Sequence, residues 1–292
     1  MNKSQTLFHY TSQAGLLGVL QAKCVWASHT SFLNDSSECS HAFDIAKEMA
    51  EIILNNDDYL DAFAWELCRR LRLLRAPDFY ITSFSEKPDL LSQWRGYCPG
   101  GSGVCIGVDM NLLRTFCEDR GYRFEQCIYD RDVLSQKIKT LIAQCWELFP
   151  SPSLDRSEFE ALSTSEAVNF AEDYNHFINF GDGQADASFA IGWFCNELIQ
   201  LAPLYKNEGF HEEAEWRVVL KSPEKILFRA GVSCLIPYTE LKIFESEQML
   251  TQLIVGPNPN QERCYRSSKM ALQSLGFNNA IVWRSKIPFN NW

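Results

Sequence analysis

Residues 214–220, AEWRVVL, decide how the chain is read, because strand character returns there after a helical stretch of some 75 residues. Apolar residues in period two, rich in valine, mark a half-buried strand. Upstream, LFHY (7–10), CVWAS (24–28), FYITSFS (79–85), VCIGVD (104–109) and YRFEQCIY (122–129) read as strands. Downstream, SCLIPY (233–238), LTQLIVGP (250–257) and NAIVWRS (279–285) read likewise. Strands, a helical block, then strands again predict one sheet completed by the last third of the chain. The expected class is α+β: a mixed central sheet with flanking helices and a helical insertion. The chain reads as a single domain, 1–292, with the insertion over 130–205.

Helices fill the intervals. Ser12 is placed to cap a helix whose Leu16, Leu17, Val19 and Leu20 recur at helical spacing. Asp35 or Ser36 starts another through about Ile53, and a third runs from Tyr59 to Arg75. LLSQWRGYCPGGSG is a short helix entering a glycine-rich loop, and 260–275 is a final helix.

Composition limits the function classes. At 292 residues, 46% hydrophobic and 22% charged, the chain can bury a sizeable core and is not a disordered type. Its 27 basic and 37 acidic residues give a net charge of −10. That field repels a phosphate backbone, so non-specific nucleic-acid binding is disfavoured. Arg69, Arg70, Arg72 and Arg75 read as the solvated face of a helix. Eleven cysteines show neither a CxxC pair nor zinc-finger spacing. Several, such as Cys105 and Cys195, sit in apolar runs as small hydrophobes, which suits a reducing compartment. No signal-peptide core or membrane-length apolar run is present, so a cytoplasmic location without membrane partners is expected.

Four places concentrate polar residues. His9-Tyr10-Thr11-Ser12 ends a strand, with His9 and Thr11 on one side; it is either a half-buried histidine beside a cap or part of a site. Asn34-Asp35-Ser36-Ser37-Glu38 is either a capped turn or a carboxylate site. Ser83-Phe84-Ser85 puts two hydroxyls on one strand face, near Gln93-Trp94-Arg95-Gly96-Tyr97. The glycines that follow (96, 100, 101 and 103) match neither GxGxxG nor a phosphate loop ending in GK[ST]. Glu212-Glu213-Ala214-Glu215 crowds three carboxylates, which repel unless they serve a cation or a substrate. Read as strand, Glu213 and Glu215 face the same side.

Taken together, LFHYTS, SFLNDSSE, TSFSE with LSQWRGY, GVCIGVD, EGFHEEAEWRVV, LIVGP and SKIPF resemble a bacterial family known as domain of unknown function 2971. That resemblance spans nearly the whole chain and implies a shared site without a settled activity. His9, Ser83 with Ser85, and Glu213 with Glu215 are also similar, in chain order, to the motif set of ADP-ribosyltransferases. Phe84 stands where that set has a central threonine.

This second resemblance implies NAD as co-substrate, hence a nucleotide small-molecule partner, with no metal. Cleavage of the nicotinamide–ribose bond builds oxocarbenium-like charge that a carboxylate can stabilise. Glu215 is expected to do so, with His9 on the ribose, Ser83 orienting Glu215, and Glu213 orienting an acceptor whose identity is open. Tyr10 or Trp94 would stack on a ring and Arg95 would meet the pyrophosphate; Thr11, Ser85, Asn34 and Asp35 complete the expected binding set. Two rivals stay open. One is a metal-dependent phosphodiesterase with Asp35, Glu38, Glu213 and Glu215 on Mg²⁺ and Arg95 or Arg217 on phosphate, although no ExK motif follows the acidic pair. The other is a non-catalytic sensor or partner-binding module.

Overall fold

The computed structural model describes residues 5–33, 38–75, 78–98 and 103–288. The elements begin with β1 (Thr6–Ser12), α1 (Gln13–Ala22), β2 (Val25–His29), α2 (Glu38–Asn56), α3 (Asp61–Leu73) and β3 (Phe79–Ser85). They continue with α4 (Leu91–Tyr97), β4 (Gly103–Asp109), α5 (Met110–Glu118) and β5 (Arg123–Gln126). Four helices follow: α6 (Arg131–Leu148), α7 (Arg156–Glu160), α8 (Thr164–Phe180) and α9 (Gln184–Leu201). The chain closes with β6 (Glu215–Lys221), β7 (Leu227–Ala230), β8 (Leu235–Leu241), β9 (Leu250–Val255), α10 (Gln261–Ser274) and β10 (Ile281–Arg284). Among the described residues no helix is long and apolar enough to cross a membrane.

The chain packs as two compact units. One comprises the described parts of Met1–Ser36, Asp78–Cys127 and Glu208–Trp292; the other comprises those of Ser37–Pro77 and Ile128–Asn207. The first holds all ten described strands in one mixed sheet, as expected of the α+β class. Its order is β10-β9-β4-β1-β3-β2-β8-β7, with β6 against β3 and β5 against β6. Only β9 and β10 run parallel; every other described pair is antiparallel.

Local sequence explains the pieces. Gly103–Val108 is buried on both faces, which suits an unbroken apolar run in a central strand. The Ser12 hydroxyl accepts the Gly15 amide at 3.0 Å and caps α1, which buries Leu16, Val19 and Leu20 while Leu17 points outward. Asp109 caps α5 through the amides of Asn111 and Leu112. A core built on Leu7, Val25, Phe84, Ile106, Val218 and Leu253 fills one region of this unit, and a smaller one around Phe8, Tyr10, Trp94 and Ile254 fills another.

The second unit joins the helices of 130–205 to α2 and α3 around Phe63, Leu67, Ile138, Phe194 and Leu198. Phe194 and Leu198 belong to this core, and the partly buried Trp193 packs against it. Arg69, Arg70, Arg72 and Arg75 are solvent-exposed, as their helical spacing indicates.

Three strand assignments need correction. β5 stops at Gln126, and Ile128 bridges Tyr205 in the helical unit instead. β7 falls in a stretch without a strand assignment; it is short and half exposed, so little alternation marks it. AEWRVVL enters the sheet only at Glu215, because Ala214 takes a left-handed conformation (φ +42°).

A close approach fixes Gly103. A Cβ there would overlap the Cys98 side chain, with the Thr11 carbonyl 3.0 Å away. Gly18, in α1, has open space around it. We expect Gly103→Ala to lower the urea midpoint, a loss of about 1–3 kcal/mol. Gly18→Ala should raise it by roughly 0.5–1 kcal/mol through helix propensity. Equal effects of the two substitutions would contradict this packing.

Candidate functional site

Strand β3 carries the site because its two edges are used differently. β6 pairs along its full length, from Phe79↔Lys221 to Ser85↔Glu215. The opposite edge is shared: β1 pairs only at Phe8↔Ser85, and β2 only at Ser28↔Ile81 and His29↔Tyr80. Between those pairs, over Thr82–Phe84, the ladder has no strand partner on that edge. The sheet is split there.

His9 fills part of the split. Its Nδ1 lies 3.0 Å from the Ser83 carbonyl. A carbonyl only accepts, so Nδ1 carries the proton and donates. Nε2 is then a lone-pair acceptor, with no hydrogen bond to any described residue. Burial pushes the His9 pKa below its ordinary value and outweighs the Ser83 bond, which acts the other way. Neutral imidazole near pH 7 follows.

Behind the split, cross-strand geometry assembles a charged cluster. Ser83 faces Arg217 and Ser85 faces Glu215. Directly opposed residues share a sheet face, so all four side chains lie together. The Ser83 hydroxyl donates to Glu215 Oε1 at 2.5 Å, and Arg217 Nε donates to the same oxygen at 2.7 Å. Glu215 is 4% exposed and Arg217 3%. Burying two ions costs several kcal/mol each, so the pair persists only because charge and hydrogen bonds are matched.

Glu213 arrives differently from its expected strand position. It ends a 3-10 segment, Glu208–Glu213, and Ala214 then turns left-handed before Glu215 begins the strand. Period-two alternation therefore does not extend from Glu215 back to Glu213. The turn is pinned: Ser85 Oγ donates to the Glu213 carbonyl at 2.6 Å, and the Glu86 amide donates to the Ala214 carbonyl at 3.1 Å. Positive φ at a non-glycine residue costs about 1–2 kcal/mol, offset here by those bonds.

The structure thus links His9, Ser83 and Glu215 in one hydrogen-bonded chain, with Ser85 supporting the Glu213–Ala214 turn. The link from His9 runs through the Ser83 backbone. Since Phe8 faces Ser85, His9 lies level with Phe84, its ring centroid 5.7 Å from that ring, on the face opposite the Ser83 hydroxyl. Thr11 shares the His9 face and is half buried; its carbonyl accepts the Cys98 thiol at 3.4 Å.

Other expected residues lie elsewhere. Tyr10 and Trp94, expected to stack on a ligand ring, are each 5% exposed and pack edge to face at 4.7 Å. The Tyr10 hydroxyl donates to the Lys87 carbonyl and accepts the Leu90 amide, while Trp94 Nε1 donates to Asp89. Both rings are committed to core and loop anchoring. Arg95 is exposed on α4 and makes no ion pair among the described residues. Asn34 and Asp35 lie outside the described residues, as does the Glu38 side chain.

Two participants are not evident from the sequence. There Arg217 suggests only a phosphate partner, yet E-x-R on a strand places it beside Glu215. Thr82, 3% exposed, keeps a buried hydroxyl without a partner among the described residues, at the split itself. A lone threonine in an apolar strand gives no sequence signal of this.

Removing one member of the buried pair strands the other. We expect Arg217→Met to cost about 3–5 kcal/mol, and Arg217→Met combined with Glu215→Leu to recover much of it. Chemical denaturation of the wild type, both single variants and the double variant checks this; an additive double variant refutes the pairing. A buried base with a depressed pKa stabilises the fold fully above its unfolded pKa of about 6.5, and that contribution is lost as pH falls toward the depressed value. His9→Gln should therefore flatten the loss of stability between pH 7 and pH 5, measured by melting temperature against pH.

Residues 93–218, from α4 through the first four positions of β6, match the model of a family described as "Protein of unknown function (DUF2971)". No curated protein and no solved structure compared with the chain gave a match. The family match covers Trp94, Arg95, Glu213, Glu215 and Arg217, whereas His9 and Ser83 lie before it.

Proposed function

We propose that the split between β1 and β3 is a nucleotide site where the nicotinamide–ribose bond of NAD is cleaved, with ADP-ribose passing to an acceptor or to water. One observation carries this reading: Ser83 connects residues 9 and 215, its carbonyl accepting from His9 at the gap and its hydroxyl donating to Glu215 on the other face of the sheet. Their order matches the motif set of ADP-ribosyltransferases. Glu215 supplies the carboxylate that stabilises positive charge developing on the ribose. His9 offers Nε2 as an acceptor for a ribose hydroxyl, and Ser83 holds Glu215. Glu213, at the turn before Glu215, orients the attacking group. Arg95, exposed and without an ion pair among the described residues, suits the pyrophosphate. Tyr10 and Trp94 have no part, since neither ring is open.

The Glu215–Arg217 pair bears on the rivals. A guanidinium nitrogen 2.7 Å from the carboxylate holds the position a divalent cation would need, which counts against the phosphodiesterase reading. The same neutralisation, with Glu215 only 4% exposed, favours a second reading in which a nucleotide is held without bond cleavage.

The test is nicotinamide release from NAD, followed by chromatography, with NAD binding measured by calorimetry. Cleavage predicts release by the wild type, a loss of at least about a hundredfold in Glu215→Gln, and a raised KM in His9→Ala. Gln keeps an acceptor oxygen for Ser83 and Arg217, and melting curves confirm that each variant is folded. Release that persists in Glu215→Gln, or an absence of NAD binding, refutes the cleavage reading. Binding without release selects the second one.

A further inference from the structure

The longest run of unbalanced charge belongs to the helical unit. Between residues 155 and 186 stand eight carboxylates and one arginine, seven of the chain's ten net negative charges. That arginine, Arg156, is itself paired with Asp57. The run includes α8, whose buried stripe is Tyr174 and Ile178.

Its outward face has an order of its own. Glu166, Asp173, Phe177 and Phe180 follow at spacings of seven, four and three, which places them on one stripe of a helix. Phe180 is 80% exposed, Phe177 38%, and Phe189, early in α9, 64%. Glu166 is held ionised by the Ser163 hydroxyl and amide at the helix start. Glu172 and Asp173 make no ion pair among the described residues. One end of the stripe is therefore acidic and the other aromatic. Solvent gives no reason to keep phenylalanines this bare on a helix whose core face is already filled.

We infer that the outer face of α8 is a docking surface for a basic amphipathic helix of a partner protein. Charge complementarity selects that occupant. A nucleic acid or an anionic lipid surface meets charges of its own sign at Glu166, Glu172 and Asp173. A second copy of this chain would bring the same carboxylates, and like charges brought together across an interface oppose association. A cationic helix satisfies both ends: its apolar face covers Phe177 and Phe180, and its lysines or arginines lie along Glu166, Glu172 and Asp173. The inference does not depend on the chemistry at the split.

The experiment uses the full chain and a labelled 18-residue peptide of leucine and lysine with a continuous apolar helical face, followed by fluorescence anisotropy at low and high salt. Binding should weaken about tenfold or more in Phe180→Ser, and similarly in Glu172→Gln combined with Asp173→Asn. It should fall steeply with salt. These side chains are exposed, so folding is spared, and Phe228→Ser in the sheet unit should leave affinity unchanged. Equal binding of a scrambled peptide with the same lysines but no apolar face overturns the inference. So does full affinity in Phe180→Ser. Phe180-dependent self-association in sedimentation, or Phe180-dependent binding to phosphatidylserine vesicles or duplex DNA without binding of the peptide, assigns the face to another occupant and overturns it as well.

Discussion

Phe79–Ser85 has two edges and three neighbours, and the organisation of the sheet unit follows from that crowding. One edge is fully satisfied by β6. The other cannot hold β1 and β2 side by side along only seven residues, so each takes one end and both peel away from the middle. Unpaired backbone inside a sheet is costly unless another group replaces the ladder. His9 does so at Ser83 with its ring nitrogen. The imidazole is thus first a structural substitute for a strand, and only then an acceptor in a gap.

The second consequence falls on the paired edge. Register places two serines opposite a glutamate and an arginine, and burial makes their arrangement all or nothing. A carboxylate held by Ser83 and Arg217 is well positioned but largely neutralised. Those two properties pull function in different directions: positioning suits catalysis, neutralisation suits binding. The pinned left-handed turn at Ala214 belongs to the same arrangement, because it lets an irregular 3-10 segment feed Glu215 into the ladder at the required register.

Much of this was legible in the sequence, for identifiable reasons. Period-two patterns in FYITSFS and AEWRVVL marked β3 and β6, and Ser12 before a leucine-rich stretch marked the start of α1. The connection of His9 to Glu215 through Ser83 is suggested only by resemblance, since no local pattern relates residues so far apart. What failed depended on tertiary context. Tyr10 and Trp94 look the same in sequence whether a ring is open or packed, and here each covers the other. Alternation through Glu213 broke because one alanine left the strand conformation, which alanine does not announce. β7 was too short and too exposed to show a period. The grouping of 37–77 with 128–207 is a matter of packing between helices that are individually amphipathic, and no single helix encodes its neighbour.

The separation of β3 from β6 also bears on how the molecule is made. Ser83 and Glu215 lie 132 positions apart, with the helical unit's second segment between them. During synthesis, β3 emerges with its main partner still untranslated, while by residue 207 both segments of the helical unit exist. Non-local strand pairing is slow because a long loop must close before any bond rewards it. Helix packing within the intervening segment shortens that loop in advance. In chain order the helical unit is thus a spacer between β3 and its main partner, with both of its segments synthesised before β6.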